Sequence, residues 1–180
     1  ALANRFAVRV IANSEATGAA FVSAGGRAEL VRVIYNGFDP SLYETPDPSP
    51  EALRQQLGLS DRFVVGHFSR LSPWKGQHIL IEALAHCPEH VVAVLVGDAL
   101  FGEQAYVEQL HQQVQDLGLT DRVKFLGFRQ AVIPLIAACD LVAHTSTAPE
   151  PFGRVIVEAM LCGTPVVAAD AGGAVELVSP

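Results

Sequence analysis

Charged residues are scarce in this sequence, making up 17% of its 180 residues, and the 19 acidic side chains outnumber the 12 basic ones. The resulting net charge of −7 excludes a general nucleic-acid surface, which needs clustered Lys and Arg against the phosphate backbone. Half of the residues are hydrophobic, which indicates a compact globular protein with a sizeable core. Any phosphate bound by this protein must therefore be held locally.

Cysteine is scarce as well. Cys87, Cys139 and Cys162 show no C-x-x-C spacing, so neither a zinc site nor a disulfide framework is predicted. Cys139 and Cys162 follow helical apolar runs and are expected to be reduced thiols in the core. No cluster of Asp or His indicates a metal site.

Long apolar runs are missing too, and none approaches the roughly 18 to 20 residues of a membrane span. The first residues lack the apolar stretch of a signal peptide. We therefore expect a soluble, cytoplasmic chain, with any membrane association provided by a domain outside this sequence.

Short β-branched runs alternate with helical patterns along the chain, which is typical of a parallel sheet wrapped by helices. The continuous apolar run VVAVLV favours a strand buried on both faces. The sequence predicts an α/β fold with a doubly wound, Rossmann-like parallel sheet flanked by helices. Strands are predicted over 6–12, 31–34, 63–67, 91–96, 123–126, 141–144 and 165–168, and helices over 15–24, 50–57, 77–85, 105–117, 133–138 and 154–161.

A domain boundary is predicted near residue 40. The segment 36–50, NGFDPSLYETPDPSP, has the Pro-, Asp- and Ser-rich composition of an interdomain linker. Residues 1–39 hold too little structure for an independent core and are expected to be the tail of a preceding domain plus a hinge. Residues 40–180 are expected to form the doubly wound domain, truncated at its C-terminal end.

Two basic residues mark the first candidate site. In open α/β sheets, ligands bind beyond the carboxyl ends of the strands, and Arg70 and Lys75 lie there, in FSRLSPWKGQ, before a predicted helix. Cations beside a helix N-terminus predict an anion site, and both side chains are expected to be exposed. No P-loop pattern is present, and a pair of solvated surface charges is the alternative that this segment leaves open.

The second candidate site lies in HTSTAPEPFGRVIVEAM. Glu150 is in a predicted loop, and Glu158 is in a predicted helix among apolar neighbours. Because an unpartnered buried carboxylate is costly, Glu158 is expected to bind a ligand hydroxyl or local backbone, unless it is a partly exposed helical residue. Gly172 and Gly173 follow a strand and either admit an oxyanion to backbone N–H groups or form a plain turn. The absence of G-x-G-x-x-G argues against a dehydrogenase.

These segments together resemble a known family. VIYNGFD, FSRLSPWKG, LVGD, DRVKFLGF, EPFGRVIVEAM and GTPVVAADAGG occur in the order and at the intervals of the retaining GT-B glycosyltransferases of family 4, also called group 1. The most specific element is the pair Glu150 and Glu158 within E-P-F-G-x-x-x-x-E-A-M. The resemblance covers nearly the whole chain and implies the C-terminal, nucleotide-sugar-binding half of such an enzyme.

The resemblance also implies roles for single residues. Arg70 and Lys75 would hold the donor diphosphate and stabilise charge on the leaving group. Glu150 would contact the donor sugar, and Glu158 the ribose hydroxyls. The other implied donor-site residues are Gly127 and Phe128 near the base, Phe152 and Gly153 after Glu150, Gly172 and Gly173 beside the phosphates, and Glu176, which follows at the family's usual spacing. Asn36 and Gly37 resemble the hinge.

The implied reaction transfers a hexose, with retention of configuration, from a UDP-, GDP- or ADP-sugar without a metal or other cofactor. The acceptor, a sugar, glycan or lipid-linked molecule, would bind the missing N-terminal domain, so this chain alone is expected to bind donor weakly and to be inactive. His67 and His144 depart from the family pattern and either touch a ligand or serve a structural role. A sugar-nucleotide epimerase-like domain and a non-catalytic binding module of the same fold are the alternatives.

Overall fold

The computed structural model describes residues 6–100 and 102–178. Its strands form two parallel sheets, one of two strands and one of five. Six α-helices flank them within the described ranges, and the predicted α/β class with a doubly wound parallel sheet is confirmed. The strands are β1 Val10–Ala12, β2 Val31–Val33, β3 Phe63–Phe68, β4 Val91–Val96, β5 Val123–Gly127, β6 Leu141–His144 and β7 Val166–Ala168. The helices are α1 Glu15–Ser23, α2 Pro50–Leu57, α3 Gln77–Leu84, α4 Gln104–Asp116, α5 Ile133–Ala137 and α6 Arg154–Leu161.

The predicted bounds agree with these elements to within one residue, except at the first strand. The prediction of strand over 6–9 is wrong, because β1 pairs with β2 over Val10–Ala12 only. Caps mark both ends of α2. Ser49 caps α2 by accepting from Ala52 N at 3.3 Å, and Gly58, at φ +67°, ends it in the left-handed conformation.

The five-stranded sheet is buried on both faces. Every residue of β4 is buried, and alternate side chains enter two cores, as the period of a strand dictates. Ala93 and Leu95 pack in the core with α3 and α4, while Val92 and Val94 pack in the core with α2, α5 and α6. The thiols remain free. Cys139 is buried as predicted, whereas Cys162 is half-buried.

The order of the strands, β5-β4-β3-β6-β7, places a reversal between β3 and β6. The chain runs outward from β3 through β4 to β5 and then returns to the other side of β3 for β6 and β7. Loops that leave the carboxyl ends of β3 and β6 therefore diverge and open a crevice, the usual ligand position in such sheets. All four residues argued from the sequence to carry the chemistry, Arg70, Lys75, Glu150 and Glu158, follow these two strands.

The N-terminal unit of β1, α1 and β2 contacts the larger sheet domain beside this crevice. Pro151 O accepts hydrogen bonds from Ser14 Oγ at 2.5 Å and Thr17 Oγ1 at 3.0 Å. The predicted boundary after residue 39 and the assignment of the residues before it to a preceding domain stay predictions. Among the helices that the structure describes, none has the length and apolar character needed to cross a bilayer.

Two glycines with similar backbone conformations differ in their surroundings. Gly76 has φ +73°, and a Cβ built on it would lie 1.9 Å from the Thr145 carbonyl oxygen. Gly58 has φ +67°, and a Cβ there would meet nothing within 4 Å. Gly76 thus lets the loop after β3 approach the loop after β6.

We expect Gly76→Ala to destabilise the protein by roughly 3 kcal/mol or more, because the new methyl group collides with backbone. The matched control Gly58→Ala carries only the left-handed backbone penalty, about 1 to 2 kcal/mol. Chemical denaturation of both variants measures the difference. Equal losses would show that the close approach to Thr145 is unimportant.

Candidate active site

A cleft of about 460 Å³ opens at the carboxyl ends of β3 and β6. The loops that follow these strands and the first turn of α6 form its walls, and Asn13 and Asn36 border it from the N-terminal segment. The side chains that matter chemically in its lining are His67, Arg70, Trp74, Lys75, His144, Ser146, Glu150, Phe152 and Glu158.

Lys75 and Glu150, which both line the cleft, form an ion pair. Lys75 Nζ lies 2.7 Å from Glu150 Oε2, and the side chains are only 16% and 12% exposed. The ammonium also sits 4.0 Å from the centre of the Trp74 ring, a favourable position for a cation. The expectation that Lys75 is exposed is therefore wrong, because its side chain is half-buried and its charge is paired with a carboxylate 75 positions away in sequence.

Glu150 Oε2 has two further polar neighbours, His144 Nε2 at 3.2 Å and Ser146 Oγ at 3.1 Å. Burial alone would raise the pKa of this carboxyl group. The hydrogen bonds from His144 and Lys75 and the charge of Lys75 outweigh that effect and lower the pKa of Glu150 to about 2. Glu150 is therefore an ionised, oriented acceptor at neutral pH, with its hydrogen bonds gathered on one oxygen.

The other predicted cation, Arg70, borders the same cleft. It is half-buried rather than exposed, with its guanidinium carbon 5.5 Å from the Trp74 ring centre. Gln77 Nε2 donates to Arg70 O at 2.9 Å and so fixes the backbone of this loop. The structure brings the two cations together around Trp74, as an anion site requires.

Helix α6 points its N-terminus into the cleft. Gly153, at φ +94°, starts the helix, and Gly153, Arg154 and Val155 line the cleft. The first N–H groups of an α-helix have no acceptor within the helix and carry its positive dipole end. With Arg70 and Lys75 they form a positively polarised wall suited to a phosphate group.

Glu158 lies one turn into α6 and separates this cleft from a second hollow. Its side chain is 17% exposed, and Oε1 accepts from Arg154 Nη2 at 3.2 Å. The second hollow, also about 460 Å³, shares Arg70 and Glu158 with the first and is bordered by Phe128, which is 73% exposed. Glu158 therefore has a side-chain partner on its own helix and contacts both spaces.

Gly172 and Gly173 support the Glu150 loop instead of lining the cleft. Gly172 forms a parallel bridge with Glu150, where a Cβ would lie 2.4 Å from Glu150 O. Gly173 N donates to the same oxygen at 2.6 Å, so this N–H group is already engaged. Gly127 has φ +67°, and its carbonyl oxygen accepts a hydrogen bond from Gly97 N at 2.9 Å.

Glu176 is not brought to the cleft. Its carboxylate accepts from the N–H groups of Glu15 at 2.9 Å and Ala16 at 2.8 Å, and from Tyr35 Oη at 2.9 Å. It thereby caps the N-terminus of α1, and binding to a donor would compete with three existing hydrogen bonds. Its donor-binding role remains a prediction without support from this geometry.

Sequence reasoning missed Ser146 and left the two histidines undecided. His67 is buried, and burial lowers its pKa to about 4. Its Nε2 lies 3.1 Å from both Lys75 O and Thr145 Oγ1, so it joins the two loops structurally, whereas His144 reaches Glu150. No sequence signal identified Ser146 beyond its place four residues before Glu150. Within the described parts of the chain, no group of three or more His, Cys, Asp or Glu side chains could hold a metal ion.

Comparison with known proteins identifies the family. Residues 49–180 match the model of the glycosyl transferases group 1. The chain belongs to this family. The predicted resemblance is thus confirmed, and family membership favours a glycosyltransferase over the epimerase-like alternative.

Individual relatives agree with the family match. The chain is 37% identical over 169 residues to D-inositol 3-phosphate glycosyltransferase of Mycolicibacterium smegmatis, covering 92% of this chain and 38% of that protein. It is 34% identical over 174 residues to the GDP-mannose-dependent alpha-(1-6)-phosphatidylinositol monomannoside mannosyltransferase of the same species, covering 92% and 45%.

A solved structure is much more similar. The crystal structure of Anabaena Alr3699/HepE in complex with UDP and glucose superposes with a TM-score of 0.97 at 73% identity, covering 99% of this chain and 49% of that one. A complex of the same protein with UDP-glucose gives the same TM-score. This group 1 glycosyltransferase chain spans less than half the length of these relatives.

Because folding lowers the pKa of Glu150, the free energy of unfolding is expected to decrease at acid pH. A group whose pKa is about 2 when folded and about 4.5 in the unfolded chain stabilises the fold fully above pH 4.5 and loses this contribution as pH falls toward 2. We expect NMR titration of the Glu150 carboxyl carbon to show a midpoint near pH 2, and a higher midpoint in Lys75→Met. The same midpoint in both proteins would mean that Lys75 does not hold the carboxylate ionised.

Proposed function

We propose that this chain is the donor-binding half of a retaining glucosyltransferase that uses UDP-glucose. The observation that carries the proposal is the cleft in which two cations and a helix N-terminus face an ionised, half-buried carboxylate. The choice of UDP-glucose is supported by the 73% identity to Anabaena Alr3699/HepE, which has been crystallised with UDP-glucose.

The donor diphosphate binds against Arg70, Lys75 and the first turn of α6. When the bond between the anomeric carbon and the β-phosphate oxygen breaks, its electron pair goes to UDP. Positive groups that are already in place stabilise this growing charge without reorganising. The 2.7 Å contact of Lys75 with Glu150 keeps the ammonium at the cleft wall, where a small movement brings it to a phosphate oxygen.

The sugar lies beside Glu150, and the nucleoside extends into the second hollow. An ionised carboxylate is an acceptor only, so Glu150 accepts hydrogen bonds from glucose hydroxyl groups. Glu158 stands where the two spaces meet and accepts from the ribose hydroxyls. Phe128, exposed at the border of the second hollow, contacts the base together with the turn at Gly127.

Four of the remaining predicted residues, Phe152, Gly153, Gly172 and Gly173, act by shaping this site. Gly153 starts the helix that faces the phosphates, and Phe152, only 4% exposed, packs against Tyr35 and Phe38. Gly172 and Gly173 hold the backbone of Glu150 from behind and so fix the place of the sugar-binding carboxylate. Their contribution to donor binding is then indirect, through Glu150.

The acceptor belongs to a part of the protein that this sequence does not contain. The relatives are more than twice as long as the matched region, and the family resemblance implies an acceptor domain across the cleft. We propose that a sugar, glycan or lipid-linked acceptor binds there and that transfer retains the anomeric configuration. This chain alone binds the donor and transfers little.

Calorimetric titration tests the proposal. We expect UDP-glucose to bind more tightly than GDP-glucose or ADP-glucose, and Lys75→Ala to weaken UDP binding about tenfold or more, because a charge-assisted hydrogen bond is lost. Lys124→Ala is the matched control, because Lys124 lies on β5 and lines neither space. Equal affinity for the three nucleotide sugars, or a Lys75→Ala variant that binds UDP normally, would contradict the proposal.

The role of Glu158 is tested separately. We expect Glu158→Gln to weaken UDP several-fold, because a neutral amide oxygen is a weaker acceptor for ribose hydroxyls, while inorganic pyrophosphate binds as before. Glu108→Gln, on the exposed side of α4, serves as the control, and calorimetry at fixed salt provides the measurement. A parallel loss for pyrophosphate would place Glu158 at the phosphates instead.

A further inference from the structure

His144 occupies a place in the cleft that the family resemblance does not assign. It is the last residue of β6, and its side chain is 5% exposed. Its Nε2 lies 3.2 Å from Glu150 Oε2 and 3.2 Å from Ser146 Oγ. Its Nδ1 is buried and has no hydrogen-bond partner within the described residues.

The chemistry of the pair defines which nitrogen carries a proton. An ionised carboxylate can only accept, so the contact with Glu150 requires a hydrogen on His144 Nε2. In the neutral ring, Nδ1 is then an acceptor that is buried without a donor, which is unfavourable. The hydrogen bonds of this imidazole are thus concentrated on Glu150 and its neighbour Ser146.

Glu150 needs a second hydrogen-bond donor to hold its carboxylate, because Lys75 pairs with Glu150 and also binds the donor phosphate in the proposed function. The ammonium pairs with Glu150 in the ligand-free cleft, and its flexible four-carbon stem lets it move to an anionic donor. His144 lies on a strand and has a rigid ring, so its Nε2 cannot move in this way. Any movement of Lys75 toward phosphate leaves His144 and Ser146 holding Oε2, while Oε1 stays free of these three donors.

We propose that His144 is a positioning residue for donor recognition, whose Nε2–H holds Glu150 in its sugar-binding orientation while Lys75 engages the diphosphate. The inference rests on the proposed donor function and deepens it. It assigns to His144 an effect on the sugar portion of the donor and none on the nucleotide portion.

Two amide variants separate this role from a structural one. In His144→Gln the amide nitrogen stands as many bonds from the backbone as Nε2, whereas in His144→Asn it is one bond short of reaching Glu150. Both side chains are polar and uncharged, so they share the disturbance of replacing the ring. Calorimetric titration with UDP-glucose and with UDP measures the sugar-dependent part of binding as the ratio of the two affinities.

We expect His144→Asn to weaken UDP-glucose about tenfold, as the loss of one well-oriented hydrogen bond to a charged group would, and to leave UDP within about threefold of the unchanged protein. His144→Gln should keep both affinities close to their original values. In a Glu150→Gln background, His144→Asn should have no further effect on UDP-glucose, since its influence passes through Glu150.

The inference is overturned if the Asn and Gln variants bind UDP-glucose equally well, or if the Asn variant loses UDP and UDP-glucose in equal measure. Failure of the proposed function gives a different result, in which the unchanged protein itself does not bind UDP-glucose and both proposals fall. Circular dichroism of each variant confirms that the affinities are compared between folded proteins.

Discussion

The half-buried ion pair between Lys75 and Glu150 is the interaction on which the site depends. It joins the loop after β3 to the loop after β6 at the point where the sheet reverses direction. Removing two charges from water is costly and is offset only by close, well-bonded partners, which explains the additional contacts of His144 and Ser146 with the same oxygen. The pair keeps a positive and a negative group facing one space.

Close backbone approaches hold this pair in position. Gly76 admits the carbonyl of Thr145, and Gly172 admits the backbone of Glu150. Gly97, in turn, admits the carbonyl of Ser69, which precedes Arg70. Each approach brings two loops nearer than any side chain would allow, so the backbone positions from which the Lys75 and Glu150 side chains extend are closely set. Such preorganisation suits stabilisation of a charged leaving group.

Sequence reasoning was accurate where local signals decide the structure. The apolar run of β4 and the Pro-Glu start of α2 each depend on near neighbours, and both were bounded correctly. Burial of Lys75 and capping of α1 by Glu176 depend on partners 75 and 161 positions away. No periodicity or local motif encodes those pairings, and this is why Lys75 was expected in solvent and Glu176 at the donor.

The short turn that ends in Glu176 connects the N-terminal unit to the loop that carries Glu150. The Glu176 carboxylate accepts hydrogen bonds from two N–H groups in the first turn of α1. Glu176 is the last residue of the short helical turn Gly173–Glu176. The first residue of this turn, Gly173, donates its N–H to Glu150 O. The N-terminal unit and the backbone of Glu150 are therefore attached to opposite ends of one short turn. A swing of that unit away from the sheet domain must either break the cap of α1 or pull on the backbone of Glu150.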